Sequence, residues 1–237
     1  MSELQGEISD RLEMIKLSII IILIFISACH VPSVEQNTEL QSPTPKRELG
    51  RDIPNASWVE IFFGEMPGIA RPGLDKIARQ NGFSILKEAI LPDNDLEVRL
   101  WVGFGKYGND GLILKRDSGN WSAINLREMS CHFEKRGKYK LESPKSGWET
   151  LWQKLIDTGI LTLPDSSELE YKNLVEDGKG YVVETNHDYV YRTYQYSNPD
   201  KEKLKEAKQM IKIGEIIADE FGLESFSIKA GGCSKDE

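Results

Sequence analysis

The sequence predicts an α+β fold: an antiparallel sheet of hairpins and a meander, with two main amphipathic helices packed on one face. Three observations predict it. Residues 96–102 alternate, with Leu96, Val98, Leu100 and Val102 on one face, the period-2 pattern of a strand. Residues 111–116 and 121–126 repeat that texture on either side of Asp117-Ser118-Gly119-Asn120, a run of residues that tolerate tight turns. Two longer stretches, starting near Ser146 and Asn198, carry apolar residues at helical spacing. Strands grouped apart from the helices, without regular βαβ alternation, point to α+β.

The elements follow in chain order. Residues 58–63 (WVEIFF) predict a first strand, broken by Met66-Pro67-Gly68. Leu74, Ile77 and Ala78 predict a short helix ending at Gly82. Residues 83–91 fit a helix or a strand equally. Asp93-Asn94-Asp95 predicts a turn ahead of the strand at 96–102. Residues 131–133 and 139–141 predict a further hairpin. Ser146-Gly147-Trp148-Glu149 matches a capping box, in which serine and glutamate satisfy orphan N–H groups reciprocally. Behind it Trp148, Leu151, Trp152, Leu155 and Ile156 share one stripe, and Gly159 supplies the left-handed residue that closes the helix. The two tryptophans are read as core, not as a ligand platform. Residues 165–177 read as a solvated acidic loop. Residues 181–185 and 189–196 predict a hairpin around Asn186-His187-Asp188. Asn198 as cap and Pro199 in the first turn open the last helix, with Leu204, Ala207, Ile211, Ile217 and Phe221 facing inward and Gly222 at its end.

Ahead of this domain stands an apolar run, LSIIIILIFISAC at residues 17–29, preceded by Lys16. A bilayer-spanning helix takes ~20 apolar residues. The run has only about 12 before the cysteine, the length of a signal-peptide core. Its last four residues, Ile26-Ser27-Ala28-Cys29, resemble the lipobox of bacterial lipoproteins. The resemblance implies cleavage between Ala28 and Cys29 and acylation of the Cys29 thiol, so that acyl chains hold the mature protein on a membrane. A signal peptide opens with positive charge. Residues 1–13 instead carry Glu3, Glu7, Asp10 and Glu13 against Arg11, which makes Met14 the expected translation start.

The expected organisation is therefore residues 1–28 as signal peptide, 29–54 as lipidated cysteine and tether, 55–228 as one globular domain, and 229–237 as a polar tail. The tether holds four prolines and few apolar residues, a composition that does not fold alone. His30, not aspartate, follows Cys29. In Gram-negative lipoproteins that residue choice favours the outer membrane, facing the periplasm.

Charge narrows the partners. Removing residues 1–28 takes four acids from 38 and two bases from 30, leaving 34 Asp+Glu against 28 Lys+Arg and a net charge near −6. That balance argues against nucleic acid as a partner, and against attachment to anionic lipid through basic patches. The expected partners are the membrane, through the lipid anchor, and an envelope protein or glycan. With Cys29 acylated, Cys131 and Cys233 remain as a candidate disulfide outside the cytosol, two free thiols being the alternative.

No catalytic, metal or cofactor signature stands out. There is no G-x-S-x-G, H-E-x-x-H or P-loop, and no dinucleotide site is expected. Cys131 and His132 are neighbours, which a strand would send to opposite faces. Asp165, Glu168, Glu170, Glu176 and Asp177 lack the alternating oxygens and central glycine of a calcium loop. The surface singled out for binding is the strand at 189–196, where Arg192, Tyr194 and Tyr196 share one face. Arginine and tyrosine dominate binding hot spots. The reading is a lipid-anchored envelope protein acting as a binding module. The alternatives are a glycan-directed hydrolase, with acids such as Glu184 in a cleft beside a second carboxylate ~5–9 Å away, and a purely structural envelope component.

Overall fold

Among the described residues seven strands form one sheet: β1 (Gly50–Asp52), β2 (Leu96–Gly103), β3 (Asn109–Asp117), β4 (Asn120–Arg127), β5 (Gly137–Lys140), β6 (Gly180–His187) and β7 (Val190–Ser197). The computed structural model describes residues 48–64, 72–104, 109–127, 136–171 and 178–229. Cys29, Ala28, Cys131, Cys233 and the breaks and hairpin residues expected at 66–68 and 131–133 lie outside them. The strand order is β1-β7-β6-β2-β3-β4-β5. Every pairing is antiparallel except β1 with β7, which is parallel. The fold is α+β, as the sequence predicts.

The meander is local. Asp117 pairs with Asn120, so Ser118 and Gly119 make a two-residue turn with φ of 49° and 81°. Positive φ at both centres is the hairpin turn whose twist matches its strands. The hairpin β6–β7 closes the same way, with Asp188 and Tyr189 at φ 49° and 63°. The turn thus sits one residue later than Asn186-His187-Asp188 implies. β5 pairs with β4.

Among the described residues four α-helices accompany the sheet: α1 (Ser57–Phe63), α2 (Leu74–Gln80), α3 (Trp148–Thr158) and α4 (Lys205–Phe221). The two main helices, α3 and α4, pack on one face as the sequence predicts, and the short α1 and α2 cover the other. On the first face Leu96, Val98, Leu100 and Val102 of β2 pack with Leu112, Leu114, Tyr181, Val183, Tyr194 and Tyr196 under α3 and α4. On the second face Trp101, Ile113, Leu126 and Val182 pack under Trp58 and Phe63 of α1 and Leu74 and Ile77 of α2. A fully buried side chain of this size contributes ~1.5–3 kcal/mol, so both layers stabilise the sheet.

Several expectations are corrected. Residues 58–63 form helix α1, because Trp58 and Phe63 are buried while Ile61 is exposed. A six-residue apolar run fits either period, and packing against the sheet decides. The capping box is absent. Gly147 is the N-cap of α3 and no side chain caps it. Ser146 Oγ instead donates to Glu220 at 2.7 Å, and Glu149 accepts from Trp121 Nε1 at 2.8 Å. Gly159 does end α3 in the left-handed region, at φ 101°. Ile156 is exposed, whereas Leu151 and Leu155 carry the buried stripe. Trp148 and Trp152 are half-buried against that core.

Asn198 and Pro199 start a 3₁₀ turn, Pro199–Lys201, and α4 begins only at Lys205. Asn198 cannot cap a helix, because its Oδ1 accepts from the Lys179 backbone N–H at 3.0 Å. The inward residues of α4 are Ala207, Met210, Ile213, Gly214, Ile216 and Ile217, and Ile211 is only half-buried.

Candidate functional site

The tyrosine strand is not a binding face. Tyr194 and Tyr196 are 0% exposed. Their hydroxyls donate to the backbone carbonyls of Ile160 and Pro164, each at 2.8 Å, and burial pushes both phenols well above their ordinary pKa. Arg192 is tied to Asp52 at 2.7 Å and to the Leu161 carbonyl at 3.1 Å. The parity of the strand is as the sequence implies, but α3 and α4 cover the face carrying Tyr194 and Tyr196. Tyr191 on the other face is equally buried.

Glu184 lies in no cleft. It is 1% exposed at the centre of the second sheet face. Its carboxylate accepts from Trp101 Nε1 at 2.8 Å and from the Tyr191 hydroxyl at 3.1 Å. Arg99, its cross-strand partner, is engaged by Glu97 at 2.6 Å and by the Ser84 carbonyl at 2.9 Å. One buried guanidinium therefore faces two buried carboxylates. Burial raises the Glu184 pKa, against the opposing pull of Arg99, Trp101 and Tyr191. A segment including the 3₁₀ turn Leu86–Glu88 straps this polar row, with the carbonyls of Leu86 and Ala89 accepting from Asn186 Nδ2 at 3.0 and 2.8 Å. Its hydrogen-bond partners bind this constellation into the packed layer, which gives it no access to a substrate.

Other chemistry-bearing residues are similarly engaged. Asp165, read as part of a solvated loop, is buried and accepts from the backbone of Ser167 and Gln195 and from Trp58 Nε1. Burial pulls the Lys179 amine down to about 8, and its Nζ donates to the Ser227 carbonyl. Residues 103–108, Gly-Phe-Gly-Lys-Tyr-Gly, do spell G-x-G-x-x-G. The dinucleotide fingerprint works by leading a strand into a helix N-terminus. Here Gly103 ends β2 and pairs with Asn109, which opens the antiparallel strand β3. Among the described residues no group of three or more His, Cys, Asp and Glu is placed to hold a metal.

The remaining candidate is the β5 edge of the sheet, unpaired by any strand among the described residues, which sequence reasoning passes over. Tyr139 of β5 is 42% exposed, and the Arg127 guanidinium of β4 lies over its ring at 5.6 Å. Lys138 lies over the Phe83 ring at 4.2 Å and donates to the Asn81 carbonyl at 2.9 Å. Lys138 and Lys140 share one face of this edge, and Tyr139 with Arg127 over its ring occupies the other, so cations stand on both faces. No carboxylate among the described residues forms an ion pair with Arg127, Lys138 or Lys140. The signal in the sequence is the run Arg136-Gly137-Lys138-Tyr139-Lys140, basic within an acidic chain.

No protein-family model matches the chain, and no curated protein matches it.

Proposed function

We propose that this protein is a lipid-anchored module of a bacterial envelope, held through Cys29, that binds an anionic envelope glycan at the β4–β5 edge. The observation that carries the binding half is a set of cations at one sheet edge, Arg127 beside the exposed Tyr139 on one face and Lys138 and Lys140 on the other, none ion-paired with a carboxylate among the described residues, on a chain whose net charge is −8. Clustered cations raise the local concentration of an acidic ligand and its association rate. The ring of Tyr139 offers an apolar plane for a sugar beside the Arg127 guanidinium, and Lys138 and Lys140 across the edge offer charge to carboxylate or phosphate groups that wrap it. β5 has only four residues and two of them are lysines, features that discourage a second strand from adding to an edge. Side-chain recognition of a glycan therefore fits better than strand addition by a peptide.

The hydrolase reading loses its motivating residue, because Glu184 is sealed between Trp101 and Tyr191. The anchor half rests on the lipobox resemblance. No helix among the described residues is long and apolar enough to cross a membrane. The binding test is a titration of the lipidated protein in detergent with a carboxylated polysaccharide and with neutral dextran. The parent should bind the acidic polymer, weaken with added salt and ignore dextran. The variant Lys138→Glu/Lys140→Glu should lose at least tenfold in affinity. Equal binding by parent and variant would remove this edge from consideration.

A further inference from the structure

The strap over the second sheet face is tied down by side chains. Among the described residues no backbone hydrogen bond joins residues 83–91 to a strand. Instead, strap carbonyls accept from side chains of the sheet. Arg99 holds the Ser84 carbonyl at 2.9 Å, Arg51 the Lys87 carbonyl at 2.9 Å, and Asn186 the carbonyls of Leu86 and Ala89 at 3.0 and 2.8 Å. Ile85 and Leu86 are buried, which fixes the middle of the strap. Phe83 is half-buried and Ser84 exposed, so this end depends most on the bond from Arg99.

That end meets the cationic edge. Two cations rest on the Phe83 ring: the Arg99 guanidinium at 5.8 Å from its centroid and Lys138 Nζ at 4.2 Å. Lys138 Nζ also donates to the Asn81 carbonyl at 2.9 Å, two residues before Phe83. A cation over a ring and on a carbonyl is held in place by both. The buried charge row and the binding edge therefore share one aromatic side chain.

Arg99 is also the contested member of the buried row. Its Nε and Nη2 meet Glu97 Oε1 at 2.7 and 2.6 Å, and its cross-strand neighbour is Glu184. The groups facing Glu184 are Arg99 and Glu97 from β2, Tyr191 from β7 and Asp75 from α2. Asp75 is itself paired with Lys87 of the strap at 2.7 Å, and Lys115 of β3, opposite Glu97, is paired with Asp117 at 3.3 Å. With Glu184 protonated, one guanidinium matches one carboxylate. With Glu184 ionised, a second buried negative charge draws on the same guanidinium. The bond from Arg99 to the neutral Ser84 carbonyl is weaker than its bonds to carboxylates, and it is the one given up. Burial moves this change above the ordinary carboxylate range.

We infer that residues 81–89 carry the protonation state of Glu184 to Lys138, so that the β5 edge grips an acidic ligand more tightly while Glu184 is protonated. The inference rests on the edge-binding reading. Held on Phe83 and Asn81, Lys138 is preorganised and loses little freedom on binding. Release of Ser84 frees Phe83, and Lys138 with it. The negative charge added on the same face acts in the same direction.

The test uses the lipidated full-length protein in detergent, with its lysine ε-methylenes labelled for NMR. A ring beneath Lys138 shifts its ε-protons upfield, and Lys140 on the same face is the reference. In the parent Lys138 should lie upfield of Lys140 near pH 5, and that difference should fall by at least half by about pH 9, a range that covers buried carboxyls. Glu184→Gln should keep the difference throughout. Over the same range the parent's affinity for a carboxylated polysaccharide should fall at least threefold further than that of Glu184→Gln. Phe83→Leu should abolish the upfield shift and flatten the pH dependence. A shift that is absent or constant in the parent overturns the inference, as does one that Glu184→Gln loses to the same extent. An affinity that follows pH equally in parent and Glu184→Gln also overturns it. A parent that binds no acidic polymer at any pH overturns the edge-binding reading and the grip inferred from it, while the lysine shift separately decides whether the strap follows Glu184.

Discussion

Replacing Glu220 by alanine should loosen the joint between α3 and α4. The Glu220 carboxylate accepts from the Ser146 backbone N–H at 2.8 Å, from Ser146 Oγ at 2.7 Å and from Lys154 Nζ at 2.6 Å. It thereby takes the place of the missing capping box, fixing the residue just ahead of α3 from the last turn of α4. A hydrogen bond to a charged group contributes ~1.5–3 kcal/mol net, and a buried donor left without a partner costs about as much. The Lys154 side chain is 46% exposed, so its pairing contributes only ~0–1 kcal/mol. Three bonds to one carboxylate do not add in full, which leaves an expected loss of about 2–4 kcal/mol on Glu220→Ala.

The same contacts predict the pH dependence. Burial pushes the Glu220 pKa up, but the bonds from Lys154 and Ser146 outweigh it and hold the group below 4.5. A carboxyl whose folded pKa is depressed adds stability above its unfolded value, and that stability fades as pH falls through the folded pKa. Urea unfolding of the parent and Glu220→Ala at pH 7 and at a series down to pH 3 is the assay. The gap between them should be widest at pH 7 and shrink below about pH 4.5. A loss under ~0.5 kcal/mol, the ordinary range of a surface substitution, or a gap that does not change with pH, would refute the argument.

Two further predictions concern the opposite face. Glu184 titrates with the reverse sign: burial raises its folded pKa above 4.5, so its contribution is fully present below that value and is lost as pH rises through the folded pKa. Glu184→Gln keeps an acceptor for Trp101 Nε1 and can donate to the Tyr191 hydroxyl, so the variant should unfold at the same or higher urea concentration than the parent at pH 8. A variant weaker by the same amount at every pH would count against this. Gly111→Ala should cost ~1–3 kcal/mol by overpacking, because the added methyl would meet Trp101 Cζ3 at 2.5 Å and push the indole off Glu184. An unchanged unfolding midpoint in urea would contradict that account.

The sheet was readable where one strand repeats a period and ends in turn residues. Residues 96–102, the turn at Ser118–Gly119 and the glycine that closes α3 all depend on local chemistry, and each is where the sequence implies. The failures share a cause: contacts far along the chain claimed residues that local rules had assigned. Ser146 and Glu149 fit a capping box, yet Glu220 and Trp121 hold them. Asn198 fits a helix cap, yet its side chain serves Lys179. The second buried face was illegible because Glu97, Arg99, Glu184, Asn186 and Gln195 look like a solvent face in sequence. Their partners come from elsewhere in the fold: Glu97 holds Arg99, Arg99 the Ser84 carbonyl, Glu184 Trp101 and Tyr191, Asn186 the Leu86 and Ala89 carbonyls, and Gln195 the Ser166 hydroxyl. The candidate surface moved for the same reason. Tyr194 and Tyr196 look like contact residues until α3 and α4 are laid over them, while the shorter run at 137–140 stays uncovered.

Everything about compartment turns on the sulfur of Cys29. Intact-mass measurement of the protein extracted from bacterial membranes, followed by sequencing of its N-terminal peptide, tests it most directly. The account predicts a chain that starts at Cys29 and carries diacylglycerol on its thiol. A membrane-associated chain that retains residues 14–28 with an unmodified Cys29 would contradict it.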